Sequence, residues 1–164
     1  MIEDILVNLK LRDGGMTAGD YAVSVASALE AHVTGIAIAF DPNVSGSALG
    51  YLSGEFVDEK RRDNEAAAKA AIASFEAATA RAGVPAEPRM LWSTFDNAGN
   101  TFGRIARLFD LVIVDQATAN RNTTETLIAE STLFESGRPV IVVPYIQKSA
   151  FKLDRVMVLS LIHI

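Results

Sequence analysis

The chain has 164 residues, which fits one domain of ordinary size and hardly allows two. It contains no cysteine, so disulfide frameworks, thiolate nucleophiles and cysteine-ligated zinc are excluded, and His32 and His163 are too few for a histidine-rich metal site. With 15 basic and 20 acidic residues, the net charge of −5 opposes general attraction to nucleic acid or to anionic membranes. No apolar run has the length of a membrane span, and the acidic start Met1-Ile2-Glu3-Asp4 is unlike a secretory signal, so we expect a cytoplasmic protein.

The first third of the chain predicts two strands separated by a helix. Residues 5–9 form a short apolar run that ends before the turn sequence Asp13-Gly14-Gly15, as expected of a strand covered on both faces of its sheet. Helical spacing follows, and Thr17 or Asp20 can cap the start of this helix. Residues 33–40 are again apolar and predict the second strand.

The rest of the chain alternates in the same way. It predicts a loop over 43–56, a helix over 58–82, a strand around 90–92, a helix over 101–109, a strand over 111–114, a helix over 123–135 and a strand over 140–143. Strands that alternate with helices indicate an α/β layered fold with a mainly parallel sheet.

Ligands of open α/β sheets bind outside the carboxyl ends of the strands, which places a candidate site at the loops 10–15 and 115–124. A phosphate site there normally needs glycines, because backbone N–H groups must approach the phosphate closely. The sequence has neither nucleotide-binding glycine motif, and it has no glycine between Gly103 and Gly137. The loop after the fourth strand therefore lacks the glycines whose backbone N–H groups usually bind a phosphate.

Two interpretations of the loop 115–124 remain open. Arg121 and the hydroxyls of Thr123 and Thr124 stand at a helix N-terminus, where they could hold an anion weakly. Alternatively, Asn122 or Thr123 only caps the helix. Asp115 favours the second interpretation, because its carboxylate would repel a phosphate.

The sequence offers no catalytic constellation. His32 precedes the second strand and Asp110 precedes the fourth, so both are expected at the amino ends of the strands, opposite the candidate site. A serine nucleophile would need a base within hydrogen-bond reach, and none is predicted there. We therefore expect no enzyme, no catalytic residue and no metal.

Four segments, in this order, resemble the universal stress protein family. They are Ile5-Leu6-Val7, Val33-Thr34-Gly35-Ile36-Ala37-Ile38, Ile105-Ala106-Arg107-Leu108-Phe109-Asp110-Leu111-Val112-Ile113-Val114 and Ser136-Gly137-Arg138-Pro139-Val140-Ile141-Val142-Val143-Pro144. The resemblance covers residues 2–159 and is specifically to the first domain of a bacterial tandem-type member.

This resemblance implies a fold and a mode of pairing. The fold is a three-layer α/β sandwich, Rossmann-like and of the adenine-nucleotide alpha-hydrolase type, with a five-stranded parallel sheet in the order 3-2-1-4-5. Pairing, with a second copy or a second tandem domain, runs through the fifth strand: Val140, Ile141, Val142 and Val143. Residues 1–146 then form the domain. Because residues 155–158 echo residues 4–7, residues 147–164 are interpreted as a linker and the first strand of a truncated second repeat. The alternative is an ordinary edge strand or an apolar tail packed on the same domain.

The resemblance also implies positions for a nucleotide. By position, they are Leu9, Lys10, Ile38, Asp115, Arg121, Asn122, Thr123 and Thr124. ATP-binding members end the first strand with an aspartate, where this chain has Lys10, and carry a Gly-x2-Gly-x9-Gly-Ser/Thr motif, at whose first glycine this chain has Asp115. ATP therefore remains possible, but its glycine motif is absent and no cofactor is expected.

Three functional hypotheses follow. The leading one is a non-enzymatic, dimerising domain of the bacterial stress response. The alternative is an adenine-nucleotide-binding stress sensor or slow ATPase that uses the loop 115–124. A flavodoxin-like or electron-transfer flavoprotein module has a similar layer order, but the chain lacks a recognisable flavin-phosphate loop.

Overall fold

The computed structural model describes residues 1–10, 17–42, 54–117, 123–154, 156–157 and 159. Strands and helices alternate along the chain in the order β1 (Asp4–Leu9), α1 (Ala18–Leu29), β2 (His32–Phe40), α2 (Gly54–Ala82), β3 (Ala86–Ser93), α3 (Phe95–Ala106), β4 (Leu111–Asp115), α4 (Thr124–Glu135) and β5 (Val140–Val143).

The strands form one five-stranded sheet in the order β3-β2-β1-β4-β5, and every pairing in it is parallel. β1 lies between β2 and β4, with Val7 opposite both Gly35 and Ile113. The predicted sheet order is therefore confirmed. The chain moves outward from β1 first to one side and then to the other, so the strand order reverses between β1 and β4, and this is where such folds bind ligands.

Each face of the sheet is covered by its own pair of helices, which explains the unbroken apolar runs of the central strands. Ile5 and Val7 are fully buried on the side of α1 and α2. Leu6, between them, is fully buried against α3 and α4 with Phe102 and Ile128. Successive side chains of a strand point to opposite faces, so one short run supplies both cores.

Two predicted helix starts are wrong. α2 begins at Gly54 rather than residue 58, so residues 54–56 are helical and not part of a loop. α3 spans Phe95–Ala106 rather than 101–109. Gly99 and Gly103 lower the intrinsic helix propensity of α3, so the sequence does not indicate where this helix begins. Close packing of both glycines against α4 stabilises the helix in spite of that low propensity.

The remaining elements match their predictions within a few residues. Residues 11–16, 43–53 and 118–122 lie outside the described part of the chain, and so do the predicted turn at 13–15 and most of the loop over 43–56. After β5, the described residues up to 159 are in neither helix nor strand, and these include Val156 and Met157 of the expected sixth strand. The division at residue 146 stays a prediction. Among the helices described, none has the length and apolar character needed to span a membrane.

Candidate functional site

A cleft opens at the carboxyl ends of β1 and β2, beside the point where the strand order reverses. Its volume is about 310 Å³. It lies between the ends of these strands, the middle of α2 and the first turns of α4. Its lining is mostly apolar and includes Asn8, Leu9, Lys10, Ala37, Ile38, Phe40, Asn64, Ala67, Ala68, Ala71, Thr124, Glu125 and Ile128.

An ion pair crosses this cleft. Lys10 Nζ, which follows β1, pairs with Glu125 Oε1 in the first turn of α4. The Lys10 side chain is 54% exposed and that of Glu125 only 15%, so the carboxylate is the inner partner. Lys10, the cation that the structure describes at the end of β1, is therefore already paired with a carboxylate of the chain itself.

The N-terminus of α4 is satisfied by its own side chains. Thr123 is the N-cap, and its hydroxyl accepts the N–H of Thr126 at 3.4 Å and lies 3.1 Å from the Thr126 hydroxyl. Glu125 adds a negative charge to the first turn, where the helix dipole favours it. The interpretation of Thr123 as a cap is confirmed. Asn122 lies outside the described residues.

The N-terminus of α1 is satisfied in a similar way, by Asp115 from the end of β4. Asp115 is 8% exposed, and its Oδ1 accepts the N–H of Ala18 at 3.2 Å. Thr17 and Asp20 complete the cap: the Thr17 hydroxyl accepts the N–H of Asp20 at 3.1 Å, and Asp20 Oδ2 accepts the N–H of Thr17 at 3.0 Å. This reciprocal pair is a capping box. The Asp115 carboxylate thus holds α1 against the sheet and does not line the cleft.

The α2 wall of the cleft is held by polar contacts near the ends of β2 and β3. Asn64 Nδ2 donates to Phe40 O at 2.7 Å. The Arg61 guanidinium lies 4.8 Å from the centre of the Trp92 ring and 3.3 Å from Asp41 Oδ1. These contacts position the part of α2 that precedes its first buried residue, Ala68.

The two titratable residues considered as catalysts, Asp110 and His32, lie at the amino ends of the strands, opposite the cleft. Asp110 Oδ2 accepts the N–H groups of Glu3 at 2.9 Å and Asp4 at 3.1 Å, and these backbone hydrogen bonds lower the pKa of Asp110 below its ordinary value. His32 Nδ1 lies 3.4 Å from Asp4 Oδ1. Both residues are remote from the cleft, as expected from their places before β4 and β2. In the part of the chain described, no cluster of three acidic or histidine side chains could hold a metal.

Solved structures of universal stress proteins share this architecture. A universal stress protein family protein from Burkholderia pseudomallei is 24% identical, with a TM-score of 0.58 over 87% of this chain and 96% of its own. The universal stress protein UspA from Lactobacillus plantarum is 15% identical, with a TM-score of 0.62 over 87% of this chain and 97% of its own. A family protein from Arabidopsis thaliana with AMP bound is 15% identical, with a TM-score of 0.56 over 87% and 91%. The chain has the universal stress protein fold. No protein-family model matches the sequence, and no curated protein matches it significantly.

Within this universal stress protein fold, the structure brings together half of the predicted nucleotide positions. Leu9, Lys10, Ile38 and Thr124 line the cleft. Thr123 caps α4 beside it, and Asp115 caps α1 on the other face of the sheet. Arg121 and Asn122 lie outside the described residues.

Three polar side chains of the cleft were missed by the sequence analysis: Asn8, Asn64 and Glu125. Asn8 is the one polar residue inside the apolar run of β1, and that exception was the available signal. Asn64 sits in the charged half of α2, where nothing distinguishes it from a solvated face. Glu125 lies three residues after Asn122, a spacing typical of a capping box, and nothing in the sequence places it in the cleft.

Proposed function

We propose that this chain belongs to the universal stress protein family and acts as a non-enzymatic domain of the cytoplasmic stress response that pairs through β5. The observation that carries the proposal is the apolar character of the open edge at β5. Val142 is 38% exposed, and Tyr145 and Ile146, which follow the strand, are 65% and 68% exposed. An open strand edge is a template for pairing with another chain, and exposed apolar side chains beside it favour burial in an interface.

The partner in this proposal is a second copy of the chain or a second tandem domain. β5 pairs only with β4 among the described strands, so its other side has unpaired backbone groups. Leu133 belongs to α4, the helix that contacts β5, and is 49% exposed. Ile141 and Val143 contribute little to such a surface, because they pack into the core shared with α1.

The test is the oligomeric state in solution, measured by sedimentation velocity at tens of micromolar. We expect a dimer for the wild-type chain and a monomer for Val142→Lys, because the substitution places a charge in the interface. Phe95→Lys is the matched control: Phe95 is 39% exposed and follows β3, the strand at the opposite edge of the sheet from β5, and this variant should remain dimeric. A monodisperse wild-type monomer would contradict the proposal.

Binding of an adenine nucleotide is the second candidate, favoured by the AMP in the Arabidopsis thaliana structure and by the position of the cleft. Ile38 offers an apolar contact there. A phosphate would have to compete with Glu125 for Lys10, and the glycines of the ATP motif are absent from this chain.

A titration with fluorescent ATP and Mg²⁺, in competition with unlabelled ATP, separates the two candidates. We expect no saturable binding up to millimolar concentrations. Competable binding in the micromolar range would establish the second candidate instead, and it should then strengthen in Glu125→Gln, which frees Lys10, and remain unchanged in the control Glu130→Gln on the exposed side of α4.

A further inference from the structure

Asn8 is a polar residue in the centre of the sheet. It lies in β1 between the buried residues Val7 and Leu9 and is itself only 7% exposed. Its side chain faces the same side of the sheet as Leu6, towards α4, because side chains alternate along a strand. A buried carboxamide is costly unless its donors and acceptors are satisfied, so its hydrogen bonds must be accounted for.

The Asn8 amide is only partly satisfied within the chain. Nδ2 donates to Ile36 O at 3.4 Å. A carbonyl oxygen can only accept, so the nitrogen must be the atom that faces Ile36, and Oδ1 and the second N–H point elsewhere. Among the described residues, no donor bonds to Asn8 Oδ1.

That oxygen faces open space. No fully buried side-chain oxygen or nitrogen in the described part of the chain lacks a hydrogen-bond partner. An unpaired oxygen on a residue as buried as Asn8 must therefore be exposed at a cavity, and the cavity that Asn8 lines is the cleft. Asn8 thus presents a hydrogen-bond acceptor, with a donor beside it, to a site whose walls are mostly apolar.

A second carboxamide lies on another wall. Asn64 of α2 also donates Nδ2 to a carbonyl of β2, at 2.7 Å from Phe40 O, and no described donor bonds to its Oδ1. Both nitrogens donate one N–H to the backbone of β2. Each amide therefore has one N–H left, against two lone pairs on its oxygen, so most of its unused hydrogen-bonding capacity is that of an acceptor. A ligand that satisfies them must carry hydrogen-bond donors, which are N–H or O–H groups.

The charges that the structure describes in the cleft disfavour an anionic ligand. Its described cation, Lys10, is paired with Glu125, whose carboxylate is the more buried partner. An anion would have to break this pair and approach the Glu125 carboxylate. The volume of about 310 Å³ falls at the lower end of small-molecule sites, enough for a compact bicyclic body between Ile38 and Ile128.

We propose that the cleft binds a small, uncharged, planar ligand whose carboxamide or lactam edge pairs with the side-chain amide of Asn8. The ligand N–H donates to Asn8 Oδ1, the free Asn8 N–H donates to the ligand carbonyl, and the apolar body lies between α4 and the ends of β1 and β2. This inference goes beyond the proposed function and does not depend on pairing through β5.

The probe is 2-naphthamide, titrated into the ¹⁵N-labelled chain and followed by NMR. Two analogues of the same shape are compared with it: 2-acetonaphthone, which keeps the carbonyl but has no N–H, and 2-naphthoate, which is an anion. We expect 2-naphthamide to bind saturably and to shift the Asn8 side-chain amide signals. Each analogue should bind about tenfold more weakly, the ketone because a buried acceptor stays unpaired and the acid because of its charge.

The variant Asn8→Leu should weaken binding of 2-naphthamide about tenfold and leave binding of the ketone nearly unchanged. The matched control is Asn100→Leu, at an exposed position of α3. The side-chain amide shifts of the wild-type chain provide a readout even if Asn8→Leu folds poorly. Equal affinity for the amide and its analogues, an unmoved Asn8 signal, no binding of the amide, or tighter binding of AMP than of 2-naphthamide would each overturn the proposal.

Discussion

The packing of α3 against α4 makes a sharp prediction, because α4 carries the cleft residues Thr124 and Glu125. A Cβ added at Gly99 would lie 2.6 Å from Leu127 O and 2.9 Å from Ser131 Oγ. The first contact is with backbone, so a rotamer change cannot relieve it and the two helices must separate by several tenths of an ångström.

The magnitude of Gly99→Ala follows from two opposing contributions. Overpacking of this kind costs about 1–3 kcal/mol. Alanine is more favourable than glycine in a helix interior by about 0.5–1 kcal/mol. Because the 2.6 Å contact is with backbone, the cost should lie in the upper half of its range. The free energy of unfolding should then fall by about 1–2.5 kcal/mol, which corresponds to a decrease in Tm of about 2–10 °C for a chain of this size.

Gly103→Ala is the matched comparison on the same helix. Its Cβ would lie 3.1 Å from Ser131 O, so only a small adjustment is needed and the gain in helix propensity offsets most of its cost. We expect a change within about 0.5 kcal/mol, as for Asn100→Ala on the exposed side of α3. Urea unfolding followed by far-UV circular dichroism measures all three. A Gly99→Ala chain at least as stable as wild type would refute the packing argument.

Three further predictions concern the rest of the fold. The pKa of Asp110 is lowered in the folded state, so its stabilising effect is present above the ordinary aspartate pKa and is lost as the pH falls through the lowered value. In acid unfolding, the difference in stability between wild type and Asp110→Asn should therefore shrink as the pH falls, and a constant difference would be inconsistent with this. Thr17→Ala removes the hydroxyl of the capping box of α1 and should lower the free energy of unfolding in urea by about 1 kcal/mol. Ser131→Ala, in α4, leaves this cap intact and should not show the loss that comes from the cap. Phe151→Ala removes the edge-to-face contact with Tyr21, whose ring centre lies 6.1 Å away, and should speed hydrogen exchange of residues 147–154 while leaving β1 protected. Equal exchange of residues 147–154 in the variant and in wild type would show that this contact does not hold the segment.

The sheet could be predicted from the sequence because its signal is local. β1 and β4 are buried on both faces, so their apolar runs identify them, and one short turn signal or capping residue separates each from its helix. The start of α3 could not be predicted, since Gly99 and Gly103 are unfavourable in an isolated helix and are explained only by the backbone of α4 lying against them. A contact between segments far apart in the chain is invisible to a local pattern.

The cleft was predicted in position but not in chemistry. Lys10 and Thr124 were expected near the carboxyl ends of the strands, and the rules of parallel sheets suffice for that. The pairing of Lys10 with Glu125 depends on how α4 is placed over β1, which the spacing of residues cannot give. Asn8 needed one further step. A polar residue in an otherwise apolar central strand must find hydrogen-bond partners, and where the described residues supply only one, the rest of the amide is available to a ligand.

Two of the helix N-termini at this end of the sheet, those of α1 and α4, share one electrostatic feature. α1 receives the carboxylate of Asp115, and α4 carries the carboxylate of Glu125 in its first turn. A helix N-terminus attracts anions through its unpaired N–H groups and its dipole, and a protein that binds phosphate leaves these groups available. Here the chain supplies both anions itself and then neutralises one of them with Lys10. The universal stress protein fold is thus retained while, among the described residues, the N-termini of α1 and α4 already face carboxylates of the chain itself. The apolar walls and the side-chain amides of Asn8 and Asn64 are then what the described part of the cleft offers to an uncharged ligand.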